Sequence, residues 1–427
     1  MKLLKYVLGI SLVLLLNHNL LSQTKHLEDL INEAIVKSPK IKMLQAKLEA
    51  ASNRININSN LPDPMLTLGL VNMPVNSFSF TQEPMTGKII GLSQSFPFPG
   101  KLSAISEAVS IDTLIIRQEI NDAINEIRKT VSTKFFDLSF TRKALLYSSG
   151  SKKLLEKIAE VVSTKYTVSS ASQQNLIKVQ LEITYLEEKI ENLKSKENSL
   201  LAQLNALLYR EPSSNIGTAF YDKINYITVT VNQIDSLAKI YRPYLNGIKY
   251  AEEKAKINQE VANKEFYPHF TLGLQYSFRD KIASTNTPLN NFFSVVLGIS
   301  LPLNYGGKVS SKVEEFIATE QMYSEQYAYA IQTLNGNFGS MIANLQSIEE
   351  IIRLFEEGLV PQAEQNFTSA LSAYQVDEID FINVIEAQNQ LFKIETNLYR
   401  LKMDYMVEIA ELEFLVGTSL KNFLAGE

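Results

Sequence analysis

Phe270-Thr271-Leu272-Gly273-Leu274-Gln275-Tyr276-Ser277-Phe278-Arg279 alternates strictly, with apolar side chains at even positions and polar, small or charged ones at odd positions. A period of two held over ten residues predicts an extended strand with one apolar face. After the polar loop Asp280–Asn291, the residues Phe293, Val295, Leu297, Ile299 and Leu301 repeat the pattern and form its partner. Strands of this length and alternation suit a tilted crossing of an outer membrane, apolar toward lipid and polar toward a lumen. Taken in isolation, the pattern favours a half-buried hairpin in a water-soluble domain. The rest of the chain decides between the two.

An earlier copy of the same region lies upstream. Leu66-Thr67-Leu68-Gly69-Leu70 faces Phe270-Thr271-Leu272-Gly273-Leu274 at an offset of 204, as Pro39 faces Pro243 and Pro64 faces Pro268. Ile90, Leu92, Gln94 and Phe96 take the part of the second strand, and Pro97 pairs with Pro302 at 205. Gly100-Lys101 pairs with Gly307-Lys308 at 207. Such drift fits small insertions at turns, and the repetition argues for two equivalent halves.

Outside these regions the chain reads as long helices. Proline clusters in 39–99 and 212–302, whereas 101–149, 151–211 and 362–416 contain neither Pro nor Gly. At 1.5 Å per residue, helices of this length extend about 75 to 90 Å, far beyond the ordinary globular helix. Leu176, Val179, Ile183, Leu186, Ile190, Leu193, Leu200, Leu204 and Leu207 recur at spacings of three and four, interrupted by Glu197. At an offset of 208 the seam returns as Val384, Ala387, Leu391, Ile394, Leu398, Leu401, Tyr405, Leu412 and Leu415, with Glu408 as its acidic member. A 3.5-residue repeat packs against a neighbouring helix as a left-handed coiled coil.

The expected organisation is therefore a first repeat over 24–216 and a second over 217–427. The first holds a helix, a strand pair at about 65–98 and long helices at about 101–149 and 151–211. The second holds a helix, a strand pair at about 269–303 and long helices at about 308–357 and 361–417. Four strands cannot close a barrel with a lumen, and an open edge in lipid leaves backbone groups unpaired, so several copies must share one barrel. The turns Ser149-Gly150-Ser151 and Gly358-Leu359-Val360-Pro361 are the expected ends of the helical pairs. Pro97, Gly100 and Lys101, with Pro302, Gly307 and Lys308, mark the strand-to-helix corners. A lone Gly-Lys lacks the full phosphate-loop spacing.

Composition narrows the chemistry. The 427 residues carry 41 Lys plus Arg against 46 Asp plus Glu, a formal charge of -5, without a block of like charge, which argues against nucleic acid as a partner. There is no cysteine, hence no disulfide, thiolate metal site or cysteine nucleophile. Of the three histidines, His18 falls in the expected leader and His269 has no other near it, which leaves His26 alone, and no metal or cofactor site is expected. Glu187-Glu188 and Glu314-Glu315 are adjacent helical residues and do not face one another as an acid-base pair would. Asp377, Glu378 and Asp380 read as a solvated acidic face or a gate. Met1 to Leu16 combines a basic start with a short apolar run, and polar residues follow to Thr24. This predicts a secretory leader over 1–23.

The residues also resemble a family. Leu61-Pro62-Asp63-Pro64 before the first strand and Gln94-Ser95-Phe96-Pro97-Phe98-Pro99-Gly100-Lys101 at its exit are similar to TolC-like outer-membrane efflux proteins. So are Ser300-Leu301-Pro302-Leu303 with Gly306-Gly307-Lys308, Gly358 to Glu364, and Ile385-Glu386-Ala387-Gln388. The resemblance implies a mainly α fold with a small β part: a homotrimer whose helices form an α-helical barrel topped by a 12-stranded transmembrane β-barrel in the outer membrane. It implies a passive channel for a tripartite efflux system. Its partners would be a periplasmic adaptor, an inner-membrane pump of the resistance-nodulation-division type, and outer-membrane lipid. The adaptor would meet the turns at Ser149, Gly150, Ser151, Gly358, Leu359 and Pro361. Two departures stand out: a cysteine for lipid anchoring is absent, and Ser169 and Asp377 replace the family's glycine after Tyr-x-x. The alternatives are a type I protein-secretion channel and a soluble periplasmic coiled-coil adaptor or scaffold.

Overall fold

The computed structural model describes residues 26–167, 172–217, 221, 224, 226–376 and 378–421; the expected leader, Ser169 and Asp377 lie outside them. In chain order, α1 covers 26–37, α2 Pro39–Ser59, β1 Met65–Val71, β2 Gly87–Phe96, α3 Lys101–Thr167 and α4 Gln173–Leu207. There follow α5 Val231–Tyr241, α6 Pro243–Asn263, β3 His269–Phe278, β4 Phe292–Ser300, α7 Lys308–Leu354, α8 Val360–Gln375 and α9 Phe381–Val416. A π turn, Phe355–Leu359, joins α7 to α8 without reversing the chain.

The chain folds as two compact units. One comprises Leu44–Glu119 and Tyr244–Ala330 and holds the sheet. Its strands are antiparallel in the order β1-β2-β3-β4. Its helical segments follow the same order. Lys47 of α2 pairs with Glu119 of α3 at 2.6 Å, Asp112 of α3 with Lys254 of α6 at 2.6 Å, and Lys256 of α6 with Glu320 of α7 at 3.7 Å. Thus β1 and α2 lie at one edge of this unit, and β4 and α7 at the other.

The other unit comprises the chain up to Met43, Ile120–Pro243 and the residues from Ile331 onward. The predicted seam on α4 buries Val179, Leu186, Ile190, Leu200 and Leu204. Leu200 and Leu204 pack in one cluster with Leu30 and Ile31 of α1, Phe135 and Leu138 of α3, and Met403 of α9. Glu197, the polar interruption, bonds Arg142 at 2.7 Å. Tyr221 and Ile227 are each tied to α9 by a tyrosine: Tyr221 donates its N–H to the Tyr399 hydroxyl at 3.0 Å and Ile227 to the Tyr405 hydroxyl at 2.9 Å. At the end of α9, Arg242 Nη1 donates to the Phe414 and Leu415 carbonyls at 3.0 and 2.6 Å, satisfying acceptors the helix leaves open. Gly417 then closes the helix at φ +86°.

The helix boundaries correct the sequence reading. α3 runs unbroken through Ser149, Gly150 and Ser151 for 67 residues, about 100 Å, and α4 begins only after its N-cap Ser172. Glycine inside a helix costs about 1 kcal/mol relative to Ala. Leu155, Ile158 and Val162, buried in the next turns, each contribute about 1.5 to 3 kcal/mol, so packing prevails over the local breaker. The expected turn at Gly358, Leu359 and Pro361 is likewise inside a continuous helical run, 308–375. Pro361 has no N–H for the usual i−4 bond, and the π turn just before it widens the ladder, Val360 N–H reaching the Phe355 carbonyl.

Candidate membrane-facing sheet and helix reversals

Strand register gathers the alternating residues into continuous rows. Leu66, Leu92, Leu274 and Val295 are successive cross-strand partners, as are Leu68, Ile90, Tyr276 and Phe293. Phe96, Phe270 and Ile299 make a third row. The first two rows are exposed throughout, Leu68 at 71% and Phe293 at 65%. The opposite face carries Thr67, Gly91, Gln275 and Ser294 in one row and Ser95, Thr271 and Gly298 in another. One face is thus apolar and uncovered; the other is mostly small and polar but also carries Met65, Ile89, Phe292 and Val296, and the outer edges of β1 and β4 pair with no strand among the described residues. A contiguous exposed patch of this kind marks an interaction surface. Among the described residues no helix is long and apolar enough to cross a membrane.

The strand-to-helix corners are built from local geometry. Pro97 leaves β2, Gly100 takes φ +79°, and Lys101 starts α3. Pro302 follows β4, Gly307 takes φ +76°, and Lys308 starts α7. Glycine at these φ values avoids the clash a Cβ would bring. Phe98 stacks on Tyr267 at 4.3 Å, and its N–H donates to His269 Nδ1 at 3.3 Å. His269 therefore braces the corner. Glu265 accepts from Lys312 at 2.7 Å and lies 3.5 Å from Lys101. Burial alone would raise its pKa, but the two lysines outweigh that and hold the carboxyl below its ordinary value.

The expected contact residues are distributed differently. Ser151 is buried and its hydroxyl bonds Gln388 of α9, while Gly150 is exposed mid-helix with nothing within 4 Å of a Cβ placed there. Leu359 and Pro361 are exposed along the α7–α8 run. The reversals lie elsewhere: after Thr167, and between Gln375 and Phe381. They are adjacent, since Lys165 Nζ donates to the Tyr374 carbonyl at 3.1 Å and stands 4.6 Å from its ring centre. Tyr374 and Phe381 pack at 5.3 Å over Val179, Leu155 and Val162. Sequence reasoning missed Lys165, Tyr374 and Ser172. The signal was available in Ser172 and Asp380, N-cap residue types standing 208 apart before the two matching seams. Glu187 pairs with Lys152 at 2.8 Å, which accounts for one of the paired carboxylates.

Open antiparallel strands with one uncovered apolar face are what a shared outer-membrane barrel requires of each of its members. Residues 236–418 match the family described as outer membrane efflux protein. TolC of Vibrio cholerae is 24% identical over 187 residues, 41% of this chain and 40% of that protein. TolC of Escherichia coli is 20% identical over 442 residues, spanning 98% of this chain and 86% of that protein. The solved structure of CusC superposes with a TM-score of 0.76 at 17% identity, covering 92% of each chain. The second half of the chain thus matches the outer membrane efflux protein family, and the chain is similar to TolC over nearly its whole length.

Proposed function

We propose that this protein is the outer-membrane channel of a tripartite efflux system, with a large periplasmic portion, passively conducting small molecules expelled by an inner-membrane pump. The carrying observation is the two-faced sheet with two open edges. In lipid every backbone group must be paired, so the edges must join those of other copies. Three copies supply twelve strands, enclosing a lumen lined by the Thr67, Gly91, Gln275 and Ser294 row, with the leucine rows toward lipid. The family supports the adaptor and pump as partners, and the Pro97-Phe98-Pro99-Gly100-Lys101 corner favours a resistance-nodulation-division pump. The adaptor contact moves to the helix reversals near Lys165, Ser172, Tyr374 and Asp380, where the helical pairs end.

The test is the protein mass of the detergent-solubilised chain by light scattering, with membrane fractionation and planar-bilayer recording. A trimer of the outer-membrane fraction that gives discrete conductance steps is expected. A monomer soluble without detergent would refute the reading and favour the periplasmic coiled-coil alternative.

A further inference from the structure

The internal repeat supplies a template for the surface between copies. In the sheet unit, β2 with α3 ends the first half and β3 with α6 begins the second, and the two are joined within one chain. The corresponding partners at the outer edges, β4 with α7 and β1 with α2, are separated. What the chain shows at its internal junction, transposed by the repeat offsets, gives the junction it lacks.

For the strands, β2 pairs Leu92 with Leu274, Gln94 with Leu272, and Phe96 with Phe270. Moving β2 forward by 205 and β3 back by 204 gives Leu297 opposite Leu70, Ile299 opposite Leu68, and Leu301 opposite Leu66. All six are exposed, each more than half. In this register they share one face, continuing the apolar rows; a slip of one residue would turn one member of each pair to the polar face.

For the helices, Asp112 of α3 meets Lys254 of α6 at 2.6 Å, and a Cβ on Gly247 would lie 3.8 Å from Gln118. With offsets of 207 and 204, the first contact places Thr319 of α7 opposite Ala50 of α2. Antiparallel continuation by four residues sets Glu315 opposite Arg54. Both are exposed, and among the described residues neither side chain has a hydrogen-bond or ion-pair partner. Around them Ala46, Ala50, Asn53 and Ile57 form an exposed seam at spacings of four, three and four, and so do Glu315, Ala318, Met322 and Glu325, at three, four and three. Repeats of this spacing fit a second coiled-coil contact on each edge helix.

We infer that the edge formed by β4 and α7 docks on the β1 and α2 edge of a second copy, with Ile299 opposite Leu68 and Glu315 paired to Arg54. The contact is head-to-tail, so it closes a ring rather than a twofold dimer. This deepens the proposed channel and rests on that reading, fixing the register and charge pair of its seam.

The absence of native cysteine makes cross-linking decisive. Residues 68 and 299 sit on opposite edges of one sheet, three strand spacings or about 14 Å across and, since Leu68 is level with Phe293, about 20 Å along the strands, beyond disulfide reach within a chain. Leu68→Cys with Ile299→Cys, oxidised in outer membranes, is expected to give covalent dimers and trimers on non-reducing denaturing gels. Leu68→Cys with Val295→Cys, four residues out of register, should not. Arg54→Glu should raise the dissociated fraction in detergent about threefold or more, and adding Glu315→Arg should reverse it. A trimer that cross-links through 295 but not 299, or one indifferent to the charge swap, overturns the seam while leaving the channel standing. A monomer in detergent with no cross-link defeats the channel itself.

Discussion

The same substitution, Gly to Ala, should act in opposite directions at two positions. Gly417 has φ +86°, and a Cβ there would sit 2.6 Å from the Tyr241 carbonyl oxygen and 2.7 Å from Arg242 Cα. The left-handed backbone alone costs an L-residue about 1 to 2 kcal/mol. The contacts are with backbone, so relief requires moving the end of α9 off α5, at the expense of the Arg242 bonds to the Phe414 and Leu415 carbonyls. Gly417→Ala should therefore destabilise by at least about 2 kcal/mol. Gly150 has open space around its Cβ and lies inside α3, so Gly150→Ala should stabilise by about 0.5 to 1 kcal/mol. The assay is the far-UV thermal midpoint in one detergent at one scan rate, comparing both variants with the parent. A Gly150→Ala variant less stable than the parent would refute the continuous helix and restore a turn there. A neutral Gly417→Ala would refute the geometry at the end of α9.

Tyr405→Phe removes the acceptor of the Ile227 N–H in a fully buried place and should cost about 1 to 3 kcal/mol in the same melting assay. Leu204→Ala, at a fully buried seam position, should cost about 2 to 5 kcal/mol. Glu33 accepts from Arg210 and Lys37, and the Arg210 hydrogen bond first of all brings its pKa down to about 2. Its contribution is present above the unfolded value of 4.5 and is lost as pH falls through about 2. An acid titration of the melting midpoint between pH 5 and 2 should therefore fall less steeply in Arg210→Gln than in the parent.

The strands were legible because alternation over ten residues specifies both conformation and face, and the duplicated prolines and glycines set their repeat. The coiled-coil seams were legible for the same reason at a period of 3.5. The helix reversals were misplaced because Gly150, Gly358 and Pro361 are the strongest breakers in their regions, yet their cost is local while burial of Leu155, Ile158 and Val162 acts over the following turns. The true reversals carry no conspicuous breaker, only the capping types Ser172 and Asp380. The Tyr399 and Tyr405 hydroxyls that hold Tyr221 and Ile227 were beyond sequence reading, since their partners are backbone amides 178 residues away.

The π turn at Phe355–Leu359 lies in a helical run, 308–375, one residue longer than its counterpart α3. That single residue is the step from the offset of 207 at Lys101 and Lys308 to 208 at Ser172 and Asp380. Left in a regular helix, it would rotate every later side chain by about 100° and throw the second seam out of phase with the first. Looped into a wider turn, it is absorbed on the spot. A duplicated gene can thus gain one codon in mid-helix and still present the same stripe to its neighbours, so such length changes need not be confined to loops.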